Sequence, residues 1–368
     1  MKLSALTKVA AIGGIAALAL TSCAANESGG DNAGGGDKSS SNLSGELIGA
    51  GASSQGSAQE AWISAFQTAH EKVTVNYDPT GSGAGRETFQ QGASSFAGSD
   101  RAFKLEEVKK GPFQACATDS GIVEFPAYIS PIALIFNVEG VKSLKLDAPT
   151  VAKIFSGKIT KWNDPAIASQ NPDAKLPDSN ITAVHRSDDS GTTGNFTDYL
   201  GAAAPNDWKP GSIETWPKEF GGEGAQGTSG VVEAVKNGVG TIGYADASRA
   251  KDLGTVEIKV GEKYVAYTPE AAAAIVDASE FETGRTDHDL ALKLDRTSDK
   301  EGVYPIVLVS YLVGCEKYAK PENAELVKQY FSYIVSEEGQ KAAASSAGNA
   351  PISSSLRDKV QKAIDAIA

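Results

Sequence analysis

Glu46-Leu47-Ile48 running into Gly49-Ala50-Gly51-Ala52-Ser53-Ser54, then Val73-Thr74-Val75-Asn76-Tyr77 running into Thr80-Gly81-Ser82-Gly83-Ala84-Gly85, decide the fold. Each pairs a short β-prone run with a Gly/Ser turn. After the first turn, Ala58, Ala61, Trp62, Ala65, Phe66 and Ala69 recur at helical spacing. After the second, a helix is expected from about Arg86, followed by Ser95-Phe96-Ala97-Gly98-Ser99-Asp100 as the next strand. Strand, turn and helix in immediate succession, twice over, is the rhythm of an α/β domain.

Further along, residues 122–138 form a long apolar stretch broken by Pro126 and Pro131, read as a strand leaving one domain and entering a second. A helical segment starts at 151–155 and ends near Trp162. Ile181-Thr182-Ala183-Val184-His185-Arg186 is a strand that enters a third turn, Arg186-Ser187-Asp188-Asp189-Ser190-Gly191-Thr192, with a helix over 193–203. Glycine-rich 221–230, a helix around 231–235 and a strand at 241–245 follow. The strand-like run 305–313 returns the chain to the first domain, and helices near 322–335 and 357–367 close it. One domain interrupting another gives two lobes hinged across a cleft, with residues 46–128 plus 309–368 as the first lobe and 129–308 as the second. The first two turns belong to one lobe and the third to the other, so closure around a ligand is the expected motion.

All three turns precede a helix. A helix start presents unpaired N–H groups and a partial positive charge, and small residues let an anion reach that backbone. Serine and threonine hydroxyls add donors. Any single turn of this kind is ordinary connection chemistry, because glycine and serine also serve as turn residues and N-caps. Three of them with one arginine point to a seat for a small oxyanion. Arg186 reads as a guanidinium fork on that ion, with Asp188 fixing its direction; a plain surface pair is the alternative. Asp100 is either an N-cap or an acceptor facing the ligand. In the second case the ligand must carry a proton, which favours hydrogenphosphate over sulfate. His185 reads as a packing residue.

The chain ends and the composition set bounds. Residues 1–8 carry Lys2 and Lys8 and no acid, and 9–20 are mostly apolar. This is a secretion leader of residues 1–22. Leu20-Thr21-Ser22-Cys23 looks like a bacterial lipobox, so Cys23 is the expected lipidation site. Residues 23–45 form a Gly/Ser-rich tether, too polar to fold alone. The formal charge is −12, and loss of Lys2 and Lys8 with the leader makes it about −14. That balance argues against nucleic acid as a partner. Cys116 and Cys315 remain after Cys23; an even pair in an exported chain suggests one disulfide, with two separate buried thiols as the alternative. His70, His185 and His288 are scattered without ligand spacing, so no metal is expected. Nucleotide readings fail on spacing: Gly157-Lys158-Ile159 lacks the rest of a P-loop, and Gly81-Ser82-Gly83-Ala84-Gly85-Arg86 has the wrong third step. The hydrolase elbow G-x-S-x-G is missing as well.

In combination and in order, several blocks resemble the solute-binding protein of the bacterial high-affinity phosphate importer. They are 49–53 with Trp62, 76–85, 96–100, 154–162 with Asp164-Pro165-Ala166-Ile167, 186–192, 221–227, 242–244 and Tyr304-Pro305-Ile306. The resemblance implies a periplasmic-binding-protein fold of type II and one phosphate held entirely by hydrogen bonds. Carried over by position, the contacts are Ser53, the Ser54 backbone, Ser82, Asp100, Arg186, Ser190, Gly191 and Thr192, with Asp188 bracing Arg186. It also implies a monomer that is not an enzyme, needs no cofactor, is anchored to the membrane by lipid, and hands phosphate to ABC importer permease subunits. Two positions depart from the family pattern. Ser53-Ser54 stand where threonine and phenylalanine are common, and Asp189 stands where glycine is usual. Three rival readings remain: a secreted phosphatase using Ser190 or Ser82 with His185 as base, a binder of sulfate or molybdate, and an adhesin or sensor that keeps only the fold.

Overall fold

The computed structural model describes residues 43–250, 252–277 and 279–368. The leader and Cys23 lie outside them. The tether stops short of residue 45, because Gly45 already pairs with Val73 in the sheet. The strands are β1 (Gly45–Gly51), β2 (Val73–Asp78), β3 (Phe96–Ser99), β4 (Ile122–Asn137), β5 (Ser143–Leu146), β6 (Thr182–Arg186), β7 (Glu223–Ala225), β8 (Thr241–Asp246), β9 (Gly254–Val260), β10 (Lys263–Val265), β11 (Glu280–Phe281), β12 (Leu292–Lys293) and β13 (Val307–Cys315). Eleven of them form a sheet in the order β2-β1-β3-β13-β4-β8-β6-β7, with β9 on β4 carrying β5 and β10.

β4 holds the two halves together. It pairs antiparallel with β13 from Ile122 to Pro131, then exchanges that partner for β8 from Ile132 to Asn137. Proline has no N–H to give a ladder, so Pro131 suits the exchange point. Pro126 faces Tyr311, beside a bulge where the register of β13 shifts between Ser310 and Tyr311. The first lobe is thus β2-β1-β3-β13 with the start of β4. The second is the end of β4 with β8, β6, β7 and the β9 group. The fold is the two-lobed α/β architecture expected of the sequence.

The helices are α1 (Gly56–Ala69), α2 (Ser82–Gln90), α3 (Leu105–Lys110), α4 (Ala148–Phe155), α5 (Pro165–Ala168), α6 (Gly191–Ala203), α7 (Gly227–Asn237), α8 (Pro269–Asp277), α9 (Pro321–Val335), α10 (Glu337–Ala347) and α11 (Ser354–Asp365). Ala58, Trp62 and Phe66, four residues apart, put one stripe of α1 into the core. The Trp62 indole donates to the Gly339 carbonyl on α10 at 2.8 Å, so a buried N–H is satisfied while its ring is packed. Several boundaries differ from the sequence reading: α4 covers Ala148–Phe155 and does not run on to Trp162, α7 starts at Gly227, and β13 covers Val307–Cys315. β1 continues through Gly51, and α2 begins at Ser82 rather than near Arg86, so Gly83, Ala84 and Gly85 are helical. β5, β9, β10, α3, α8 and α10 are further elements that reading did not mark. Among the described residues, no helix is long and apolar enough to cross a membrane.

Cys116 and Cys315 form a disulfide that links residues 199 apart in sequence. Closing so long a loop restricts the unfolded chain, and such bridges contribute about 2–5 kcal/mol. Replacing both cysteines by alanine is therefore expected to lower the thermal midpoint by several degrees, read by circular dichroism. An unchanged midpoint would show that the bridge is not a stabilising link.

Candidate functional site

Asp100 immediately follows β3 and is 2% exposed. Its carboxylate accepts from three hydroxyls. Ser54 donates to Oδ1 at 2.5 Å, Ser310 donates to Oδ1 at 2.7 Å, and Thr192 donates to Oδ2 at 2.9 Å. A carboxylate offers about four acceptor positions. Three are taken, and the one left is on Oδ2. Burial raises the Asp100 pKa above the ordinary aspartate value, and the three hydroxyls with Arg186 offset part of that rise. The Asp100 N–H in turn donates to Ser82 Oγ at 3.1 Å, on the first residue of α2.

Arg186 ends β6 and is likewise 2% exposed. Asp188 takes its Nε at 2.7 Å and its Nη2, so Nη1 stands outside the fork. Burial pushes the Asp188 carboxyl up, but the Arg186 fork and the Gly227 N–H outweigh it and leave the pKa below the ordinary value. The backbone N–H of Arg186 donates to the Tyr244 hydroxyl at 3.2 Å, which also meets Thr193 Oγ1 at 2.7 Å. The fork is thus tied to β8 and α6. Gly81, at φ +110°, brings the second turn against this pair; a Cβ there would lie 2.5 Å from Asp188 Oδ2.

The third turn closes on the same point. Ser190 caps α6, its Oγ accepting the Thr193 N–H at 3.2 Å. A Cβ on Gly191 would lie 2.6 Å from Asp100 Cβ and 2.7 Å from Ser82 Oγ. Gly83 N–H donates to the Asp189 carbonyl at 3.2 Å. Ser54, Ser82, Asp100, Arg186, Ser190, Gly191 and Thr192 therefore sit together at the junction of the lobes. Ser53 lies to one side: its Oγ accepts the Thr228 N–H at 3.1 Å at the start of α7. The carboxyl of Asp189, an exposed residue, abuts Gly83. Burial and Glu214 raise its pKa, with Arg86 and Arg101 opposing them. His185 stacks on Trp216, ring centroids 5.0 Å apart, and its Nδ1 lies 2.8 Å from the Arg186 carbonyl. Among the described residues no cluster could hold a metal ion.

Known proteins resemble this chain over most of its length. A family model described as a PBP superfamily domain matches residues 36–338. The chain is 35% identical over 333 residues to phosphate-binding protein PstS 3 of Mycobacterium leprae, covering 88% of this chain and 87% of that one. It belongs to the PstS family. Phosphate-binding protein PstS of Methanocaldococcus jannaschii is 34% identical over 304 residues, covering 77% of this chain and 76% of the relative. The solved phosphate-binding protein from Stenotrophomonas maltophilia shares the fold at 19% identity, with a TM-score of 0.62 over 86% of this chain and 93% of that one.

Within this PstS-family chain, Ser310 is the site residue that sequence reasoning passed over. It is the one serine in the largely apolar run Val307-Leu308-Val309-Ser310-Tyr311-Leu312-Val313. A polar residue inside a fully buried strand needs a partner, and that signal was available. Gln55 was also missed; its Nε2 donates to Ser310 Oγ at 2.7 Å and turns the serine toward Asp100. Ser54, assigned through its backbone by the resemblance, reaches Asp100 with its hydroxyl. The phenylalanine common at that position could not make this bond.

Proposed function

We propose that this chain binds inorganic phosphate between its two lobes outside the cytoplasm and delivers it to an ABC importer. The observation that carries the reading is Asp100, a buried acceptor with three hydroxyls on it and one lone-pair position left. An anion that brings a proton can donate into that position; one without a proton meets an unanswered like charge. Arg186, Ser54, Ser82, Ser190, Gly191 and Thr192 surround the ion, with helix starts α2 and α6 supplying N–H groups. Ser53 contributes at the edge of the site. The lobes are 46–128 with 309–368, and 129–308, and the hinge lies where β4 exchanges partners. The PstS relatives support phosphate as the ligand. Cys23 carries the lipid that anchors the chain, and the protein works as a monomer.

Binding without turnover fits the side chains. His185 is stacked on Trp216 and burial lowers its pKa. Ser190 Oγ is engaged with the Thr193 N–H. The pairing a phosphatase would need, His185 with Ser190 or Ser82, is not made: His185 Nδ1 meets the Arg186 carbonyl, and Ser82 Oγ accepts the Asp100 N–H. Equilibrium dialysis with labelled phosphate, after stripping bound ion in denaturant, is expected to give one phosphate per chain. The same sample is expected to leave a chromogenic phosphate ester intact; sustained hydrolysis would establish the phosphatase reading instead.

Lobe closure gives a second check. Because a methyl on Gly191 would collide with Asp100 and Ser82, Gly191→Ala is expected to hold the lobes apart. Phosphate affinity should fall by about tenfold or more, roughly 1.4 kcal/mol, with little change in the ligand-free thermal midpoint. Unaltered affinity would mean the two turns do not meet in the bound form.

A further inference from the structure

Glu214 lies between α6 and β7 and is not among the residues proposed to surround the ligand. Its backbone carbonyl accepts the Ser190 N–H at 3.1 Å, so it is fixed to the cap of α6 in the second lobe. Its carboxylate reaches the first lobe. Oε2 accepts Arg86 Nη2 at 2.8 Å and Arg101 Nε at 2.6 Å. Arg86 stands on α2, whose first residue is Ser82, and its Nη1 donates to Ser99 Oγ at 2.8 Å, next to Asp100. Arg101 follows Asp100 directly and is also held by Glu107, at 2.7 and 2.9 Å. One carboxylate therefore connects the α6 cap, the start of α2 and the end of β3.

The burial of these groups gives the contact its weight. The side chains of Arg86, Glu214 and Arg101 are 6%, 14% and 22% exposed. Exposed ion pairs contribute little, whereas removing one partner of a sheltered pair leaves the other charge without compensation. Arg101 retains Glu107 if Glu214 withdraws. Arg86 keeps its hydrogen bond to the neutral Ser99 hydroxyl. Opening the lobes would hydrate both arginines, so Glu214 favours the closed arrangement in particular.

We propose that Glu214 is a positioning residue that latches the two lobes through Arg86 and Arg101 and sets the lifetime of the bound ion. This rests on the phosphate-binding reading for its ligand, but the latch has its own readout. The test uses the full chain, its Glu214→Gln and Arg86→Gln variants and the double variant, with labelled phosphate chased by excess unlabelled phosphate. Release from each single variant should quicken by about tenfold or more, with association changed by less than about threefold. The double variant should release within about threefold of Glu214→Gln, since Arg86→Gln removes a contact that Glu214→Gln has already lost. Raising salt from about 0.05 to 0.5 M should speed release from the unaltered chain and leave Glu214→Gln nearly unaffected.

Release within about twofold of the unaltered chain in both single variants would overturn the proposal. So would equal salt sensitivity in Glu214→Gln and the parent. If Glu214→Gln does not fold, Glu214→Asp keeps the charge on a shorter reach and should give intermediate release; parental release there would count against the latch. If the unaltered chain binds no phosphate, the ligand reading falls and solution scattering decides the latch alone. A larger radius of gyration for Glu214→Gln supports it, and an equal one overturns it.

Discussion

Replacing Arg186 by alanine is expected to weaken phosphate binding by at least about a hundredfold, some 3 kcal/mol. Two losses combine. The ion loses its guanidinium partner, and charge-assisted hydrogen bonds of this kind are the strong ones. The substitution also strands Asp188, which is held below its ordinary pKa by the Arg186 fork and the Gly227 N–H. An unpaired carboxylate would then face the incoming anion. Arg186→Lys should recover only part of the loss, because an ammonium cannot be gripped by Asp188 through two parallel bonds. Titration calorimetry on both variants checks this. Affinity within about threefold of the parent in Arg186→Ala would place the ligand elsewhere.

Asp100→Asn is expected to change selectivity more than phosphate affinity. The amide can present an N–H where the carboxylate presents a lone pair, so sulfate is no longer refused. Sulfate competition should strengthen by about a hundredfold, while phosphate binding weakens by about tenfold or less. The pH dependence has a definite sign. Burial raises the Asp100 pKa, and the hydroxyls and Arg186 only partly offset it. As pH falls, Asp100 therefore takes up a proton before an exposed aspartate would. The protonated group can donate to sulfate. Sulfate competition in the parent should rise as pH falls through that raised pKa, and should stay flat in Asp100→Asn. Competition that is flat with pH in both would remove Asp100 from the role of proton check.

Much of this architecture could be read from residues. Alternation of β-prone runs with Gly/Ser turns exposed β1, β2, β6 and the helices that follow them, because strand and helix periods differ so clearly. The long β4 was visible as an apolar stretch crossing between lobes, and the two prolines mark a bulge and an exchange of partners. The start of α2 was misplaced because Gly83 and Gly85 are poor helix formers by propensity. Close packing favours them there: a Cβ on Gly85 would lie 2.4 Å from Gly51 Cα. Tertiary approach decided what local preference could not. β9 was missed although every second one of its seven residues is buried, an alternation that the sequence carried; β10, at three residues, is too short to show one.

The site was legible where several residues lie close in sequence, as at 186–192. It was not legible where one residue arrives from a distant strand. Ser310 meets Asp100 across 210 positions and Glu214 meets Arg86 across 128, and no local pattern announces such a pairing. Cys116 and Cys315 were open to two interpretations for the same reason, since separation in sequence says nothing of approach in space.

Calorimetric titration of the stripped protein with phosphate and with sulfate, side by side at neutral pH, tests the proton check at Asp100 most directly. Saturation by one phosphate per chain, with sulfate weaker by about a hundredfold or more, is the predicted result. Sulfate binding as tight as phosphate, or heat from neither ion, would contradict it.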